Sequence, residues 1–124
     1  MKVVFKTICQ ADEKYKELIE NQSIKENRII LKKFHFFEEL IKNDYLYGES
    51  IKKINLEKNQ MLLNAFFQRY GHLDLLNLDN CFCCDLTRSK WRMLYTLDRD
   101  NLDDTQYILC FMIIDHKTYE KYFT

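Results

Sequence analysis

The chain has 124 residues, of which 47% are hydrophobic and 15% aromatic, and its 19 basic and 19 acidic side chains give a formal net charge of +0. Its length predicts one domain over residues 1–124, and its apolar content excludes a disordered protein. The balanced charge excludes a general electrostatic attraction to nucleic acid or to acidic membranes.

The first half of the chain predicts a strand followed by two helices. Lys2–Ile8 alternates loosely in polarity, as a short strand does. Asp12 is suited to cap a helix that runs to about Gln22. The string Ser23-Ile24-Lys25-Glu26 fits a capping box, in which the serine and glutamate side chains each bond a free backbone amide. Behind it, apolar residues at steps of four, three and four predict a second helix that ends near Asn43 and packs antiparallel to the first.

The middle of the chain predicts a loop and a third helix. Tyr45–Ile54 is interpreted as a loop with a short extended piece. An apolar-periodic segment then opens at Asn55 or Leu56 and continues to Tyr70, with Gly71 in the position where glycine commonly ends a helix.

The second half of the chain has the shorter period of strands. Asn80–Leu86, Trp91–Asp98 and Tyr107–Ile114 are rich in aromatic and branched residues and are separated by short polar segments that suit hairpins. His116–Thr124 has room for one or two helical turns. The order of these elements predicts an α+β fold with an antiparallel meander.

Five cysteines are present, and three crowd into the string Cys81-Phe82-Cys83-Cys84. Neighbours on one strand are badly aimed for a disulfide, and the Cys-x-x-Cys pairs of a zinc site are absent. We interpret the cysteines as core residues, with a thiol–metal site that recruits His72 as the alternative, and we predict no metal and no cofactor. The odd number of thiols and the lack of a signal peptide or long apolar run predict a cytoplasmic protein without a membrane span.

Three strings in the second half occur in a recognisable order. Asp85-Leu86 precedes Arg92-Met93-Leu94-Tyr95, and the last strand exits through Asp115-His116-Lys117-Thr118-Tyr119. Further upstream, Tyr70-Gly71 precedes Leu75-Leu76. Together they resemble the RelE/ParE superfamily of type II toxin–antitoxin toxins, and in particular its archaeal members. The resemblance covers residues 68–123 and is only topological over residues 1–67.

The resemblance implies a fold, an activity and partners. The fold has an N-terminal strand, a helical hairpin, an antiparallel sheet of three to four strands and a short C-terminal helix. The activity is cleavage of mRNA on translating ribosomes, in which the ribose 2′-hydroxyl attacks the adjacent phosphate. The natural partner is a cognate antitoxin, with the ribosome and mRNA as targets.

The same resemblance implies roles for individual residues. Arg92 matches the family motif and would stabilise the phosphorane, because its fork of donors fits phosphate oxygens and stays charged. His116 and Tyr119 would transfer protons as catalytic residues. The cations that would bind RNA are Arg88, Lys90 and Lys117.

Each role has a structural alternative. Arg92 is equally suited to pair with Asp85 or Asp98 across the sheet. His116 can simply bond backbone at the strand-to-helix corner, Lys117 can be a solvated surface residue, and the aromatic tail can dock on the helices. Strand alternation also places Arg92 and Tyr95 on opposite faces, so Tyr95 is expected in the core.

A second function is compatible with the charge of the chain. Residues 61–124, which include the predicted site, carry seven basic and nine acidic side chains. Proteins that hold RNA are usually basic. The alternative is therefore a ParE-like topoisomerase inhibitor, or a non-catalytic protein-binding module of the same fold.

Overall fold

The computed structural model describes residues 1–75, 80–88 and 90–124. Two residues of the sequence analysis lie outside the described residues. They are Leu76, from the string Leu75-Leu76, and Ser89, from the polar segment between the predicted strands Asn80–Leu86 and Trp91–Asp98. The elements in chain order are β1 (Lys2–Thr7), α1 (Cys9–Glu20), α2 (Lys25–Asn43), β2 (Glu49–Ser50), α3 (Lys53–Lys58), α4 (Gln60–Arg69), a 3-10 turn (Leu73–Leu75), β3 (Cys81–Thr87), β4 (Trp91–Asp100), β5 (Thr105–Asp115) and α5 (His116–Phe123).

The strands form one mixed sheet in the order β1-β5-β4-β3-β2. The meander of β3, β4 and β5 is antiparallel, as predicted, and the α+β class is confirmed. Among the described residues the sheet has five strands, of which β2, β3, β4 and β5 are antiparallel neighbours, within the expected three to four. The N-terminal strand β1 lies parallel to β5, and the two-residue β2 adds an edge next to β3.

Helices cover both faces of the sheet. On one face, α1 and α2 pack against β3, β4 and β5 through a cluster that includes Phe34, Met93 and Tyr95. On the other, α3, α4 and α5 pack on the same strands around Phe67 and Phe111. Burial of one such phenylalanine stabilises the fold by roughly 1.5–3 kcal/mol. In the middle of the sheet β4 and β5 therefore present apolar side chains to both helical layers, and Arg92 and Thr96 are polar residues within this part of β4.

Two predicted helix caps are wrong. α1 begins at Cys9 behind Ile8, and Asp12 lies in its first turn, where it accepts a hydrogen bond of 3.0 Å from the Thr7 hydroxyl. α2 begins behind Ile24 without a side-chain cap, so the predicted capping box does not form. The Glu26 side chain instead binds two donors at the β3–β4 hairpin, Lys90 and Trp91, described below. The apolar stripe and the end of α2 at Asn43 are confirmed.

The predicted third helix is two helices. It opens at Lys53 and is interrupted at Asn59, whose side-chain amide donates to the carbonyl oxygens of Asn55 at 3.0 Å and Thr124 at 3.1 Å. Its predicted end is confirmed. Gly71 has a φ of 74°, and its amide and that of the next residue donate to the carbonyls of Gln68 and Phe67, as in a Schellman motif.

The predicted alternation along the strands is confirmed. Met93 and Tyr95 belong to the α1–α2 side and Leu94 to the α3–α5 side. All five cysteines are buried, as expected of core residues, and none of them forms a disulfide. Within residues 1–75, 80–88 and 90–124, no helix is both long and apolar enough to cross a bilayer, and no group of three or more histidine, cysteine or acidic residues is placed to hold a metal ion.

Candidate functional site

A cavity of about 250 Å³ lies where β2, β3 and β4 meet α3 and α5. Arg92 points into it from β4, and Tyr119 closes it from α5. The two residues reach the same space because β4 sends Arg92 to the face that α5 covers. The complete lining is Glu49, Ser50, Ile51, Lys52, Asn55, Cys83, Asp85, Arg92 and Tyr119.

Arg92 is held by two neighbours in this cavity. Its Nε lies 3.2 Å from Oδ1 of Asp85, the residue directly opposite on β3. Its guanidinium carbon lies 4.1 Å from the centre of the Tyr119 ring, a cation–π contact. The contact with Asp85 is an ion pair without the alignment of a hydrogen bond, and Nε is buried with no hydrogen-bond acceptor among the described residues. Arg92 is thus paired in charge but retains donor capacity.

Tyr119 is positioned by the start of α5. Asp115 caps this helix by accepting a hydrogen bond of 2.9 Å from the Thr118 amide, and that bond lowers the pKa of the Asp115 carboxyl. The Tyr119 ring stacks on Phe123, which anchors the helix in the core. Burial raises the pKa of the Tyr119 hydroxyl above its usual value. At neutral pH this side chain is therefore protonated, and it can donate a proton but not accept one as a phenolate.

His116 and Lys117 do not line this cavity. His116 is exposed on the first turn of α5, and its Nε2 lies 2.8 Å from Oε1 of Glu120, one helical turn further on. Lys117 is also exposed. Of the three predicted catalytic residues, the structure brings Arg92 and Tyr119 together and places His116 outside the cavity, beside Glu120.

Lys90 and Arg88 lie at the hairpin between β3 and β4. Lys90 binds Oε2 of Glu26 at 2.8 Å, and the indole of Trp91 donates to the other oxygen of Glu26 at 3.0 Å. The hydrogen bond from Lys90 is the main reason that the pKa of Glu26 is lowered. Lys14 completes the cluster 4.7 Å above the Trp91 ring. Arg88 and Lys90 both line a groove beside α2. Two of the predicted RNA-binding cations thus share one surface, and Lys117, on α5, is not among the residues that line it.

Sequence reasoning missed the wall of the cavity formed by Glu49, Lys52 and Asn55. Glu49 and Lys52 lie in a segment with no apolar period, and Asn55 lies at the predicted start of the third helix, so no pattern indicates that these residues come together beside Arg92. The cavity therefore holds two cations, Arg92 and Lys52, and two carboxylates, Glu49 and Asp85. An anion that enters it must displace Asp85 from Arg92.

Comparisons with models of protein families, with curated proteins and with solved structures found no match to this chain. The residues and their geometry are therefore the basis for proposing a function.

Proposed function

We propose that this chain is the toxin component of a type II toxin–antitoxin system with a RelE/ParE-like fold, and that it acts by binding a protein. The family is supported by the strings around Arg92 and Asp115 and by the order of strand, helical hairpin, antiparallel strands and short final helix. A cognate antitoxin is its expected partner and the cytoplasm its expected location.

The single observation that favours protein binding over RNA cleavage is that carboxylates already pair with cations that were predicted to act on RNA. Arg92 pairs with Asp85 and Lys90 pairs with Glu26. RNA binding depends on cations that replace condensed counterions along the phosphates. Carboxylates that already occupy these cations repel a phosphate and must be displaced first, at a cost in free energy.

The second candidate is the mRNA endoribonuclease, and the contact of Arg92 with Tyr119 favours it. In that reaction the 2′-oxygen forms a bond to phosphorus, and the bond from phosphorus to the 5′-oxygen breaks. The products are a 2′,3′-cyclic phosphate and a 5′-hydroxyl. Arg92, released from Asp85, would stabilise the phosphorane, and Tyr119 would give its proton to the leaving 5′-oxygen. His116, which lies outside the cavity beside Glu120, would accept the proton of the 2′-hydroxyl only after leaving Glu120 and moving towards the cavity.

The two candidates are separated by expressing the chain in a bacterial host beside Arg92→Gln and Arg69→Gln. Arg69 is an exposed arginine of α4, so its variant is matched in charge. We expect all three proteins to arrest growth with cellular mRNA intact, and a partner protein to co-purify without RNA. Circular dichroism confirms that each variant is folded.

Two results contradict this proposal. Cleavage of ribosome-bound mRNA by wild type and Arg69→Gln, but not by Arg92→Gln, selects the endoribonuclease. Normal growth with abundant folded wild-type protein removes both candidates.

A further inference from the structure

The outer edge of β3 is only partly covered. β2 pairs with Phe82 and Cys83, and the Ile51 amide donates to the Cys81 carbonyl at 2.9 Å. From Cys84 to Thr87, no strand among the described residues pairs with this edge. Antiparallel alternation continues the pattern of Cys81 and Cys83, so the N–H and C=O groups of Asp85 point outward.

On the opposite side of the sheet, the part of β5 that extends beyond β1 has its backbone bonded by a side chain. β5 continues past the end of β1, and there the side-chain amide of Gln10 donates to the Ile113 carbonyl at 2.9 Å and accepts from the Ile113 amide at 2.8 Å. One side chain thus satisfies the backbone of that edge. Open edges are sites where another strand adds, and β3 retains such a site.

An apolar groove runs beside the open edge of β3. It has a volume of about 640 Å³, within the range of ligand-binding clefts, and Ile29, Phe37 and Leu86 form its apolar wall. Ile29 is 43% exposed, and Phe37 contacts the exposed rings of Phe36 and Tyr47. The groove therefore offers uncovered apolar surface next to unpaired backbone.

The rim of this groove has an excess of positive charge. Lys33 and Arg88 line it, and no carboxylate of the described residues lies within ion-pair distance of either. The neighbouring depression, which shares Ile29 and Lys90 with the groove, adds Lys25. The carboxylate that lines the groove, Asp85, is already engaged by Arg92, and the one that lines the neighbouring depression, Glu26, is engaged by Lys90.

We propose that this groove binds an extended segment of a partner protein that alternates apolar and acidic side chains and adds as a strand to β3. Backbone groups of the segment pair with Asp85, its apolar side chains pack on Ile29 and Phe37, and its acidic side chains meet Lys33 and Arg88. The positive rim argues against a second copy of this chain, whose matching surface has the same charge. This binding property is independent of whether the chain is toxic.

The probe is a synthetic peptide of about eight alternating valine and aspartate residues, long enough for one strand. Binding is followed by amide chemical shifts of the full chain. We expect shifts centred on Cys84–Thr87, affinity at least about tenfold higher than for the matching valine–lysine peptide, and loss of binding when alternate peptide amides are N-methylated. Lys33→Glu should weaken binding about tenfold, whereas the matched Lys58→Glu on α3, in the opposite layer, should leave it unchanged.

Four results overturn the proposal. These are no saturable binding of the aspartate peptide, equal binding of the lysine peptide, shifts centred on the Arg92 cavity, or dimerisation of the free chain that Lys33→Glu alters. The last result assigns the groove to a second copy. Growth arrest tests the proposed function separately, so either inference can fail without the other.

Discussion

The hydroxyl of Tyr95 connects the centre of the sheet to the loop that leads into β2. The side chain is fully buried, as strand alternation predicts, and its hydroxyl donates to the Tyr45 carbonyl at 2.9 Å and accepts from the Gly48 amide at 2.8 Å. A Cβ on Gly48 would lie 2.8 Å from the Tyr95 ring, so glycine permits this approach. Because β2 forms both the wall of the Arg92 cavity and the limit of the open edge, this one hydroxyl supports both sites.

Tyr95→Phe is expected to lower the free energy of unfolding by about 1–3 kcal/mol, because two buried backbone groups lose their partner. Urea denaturation measures the change. Tyr107→Phe is the matched control, since Tyr107 is half-buried and its ring lies under Lys6, and its effect should stay within about 0.5 kcal/mol. Equal, small effects of the two variants would show that the hydroxyl does not hold the loop.

Some contacts of single residues were accessible from the sequence. The pairing of Arg92 with Asp85 follows from adjacent strands joined by a short hairpin, and it was one of the two stated alternatives. The approach of Tyr119 to Arg92 was implied by the family resemblance. The carboxylate of Glu49 was not accessible, because its position depends on a loop whose course is set by Tyr95, a residue distant in sequence.

At the scale of elements, the apolar periodicity of the sequence predicted where most helices and strands lie. Tertiary contacts determined where the helices begin and where one of them is interrupted. The helix α2 and the three long strands follow from apolar spacing within a few residues, and α5 forms where one or two helical turns were expected. The capping box failed because Glu26 gains Lys90 and Trp91, a cation and an indole donor that only the folded sheet brings near. The third helix broke at Asn59 because its amide binds the C-terminal Thr124, a contact that no local pattern reveals.

The cap of α5 has a pH dependence that follows from Asp115. Its pKa in the folded state is lowered from an ordinary value of 3.8, so the carboxylate stabilises the fold above that pH. This stabilisation is lost as the pH falls through the lowered value. Asp115→Ala should therefore lower the free energy of unfolding by about 1 kcal/mol at neutral pH, and the difference from wild type should vanish in acid.

Chemical denaturation of the Asp115→Ala variant at a series of pH values measures this effect. Asp103→Ala in the exposed turn between β4 and β5 serves as the control, and it should show no such convergence. A constant difference between wild type and Asp115→Ala at every pH would mean that the charge of the cap contributes nothing. Since α5 holds Tyr119, loosening of the cap should also weaken the contact with Arg92.

At the scale of the whole molecule, the two helical layers pack on opposite faces of one sheet. This arrangement is what a single domain over residues 1–124, predicted from the length of the chain, would require. β4 and β5 supply side chains to both cores, Met93 and Tyr95 to one and Leu94 and Phe111 to the other. Neither helical layer can leave without exposing a complete apolar face of these strands. We therefore expect the two layers to unfold together, as small domains commonly do.

Two probes report on the two layers during urea unfolding. The fluorescence of Trp91 reports on the α1–α2 side, where the indole binds Glu26. Labelling of the Cys83 thiol, located by mass spectrometry, reports on the α3–α5 side, since burial raises the pKa of this thiol to about 12 and suppresses its reaction in the folded state. Both probes should give one transition with the same midpoint.

Variants in each layer make this prediction sharper. Phe34→Leu lies in the α1–α2 core and Phe67→Leu in the α3–α5 core, and both parent side chains are fully buried. Each should cost about 1 kcal/mol and move the Trp91 and Cys83 transitions by equal amounts. If Phe67→Leu makes Cys83 reactive at a urea concentration that leaves the Trp91 signal native, the α3–α5 layer is a separate cooperative unit. The Arg92 cavity, which that layer closes, would then open without loss of the sheet.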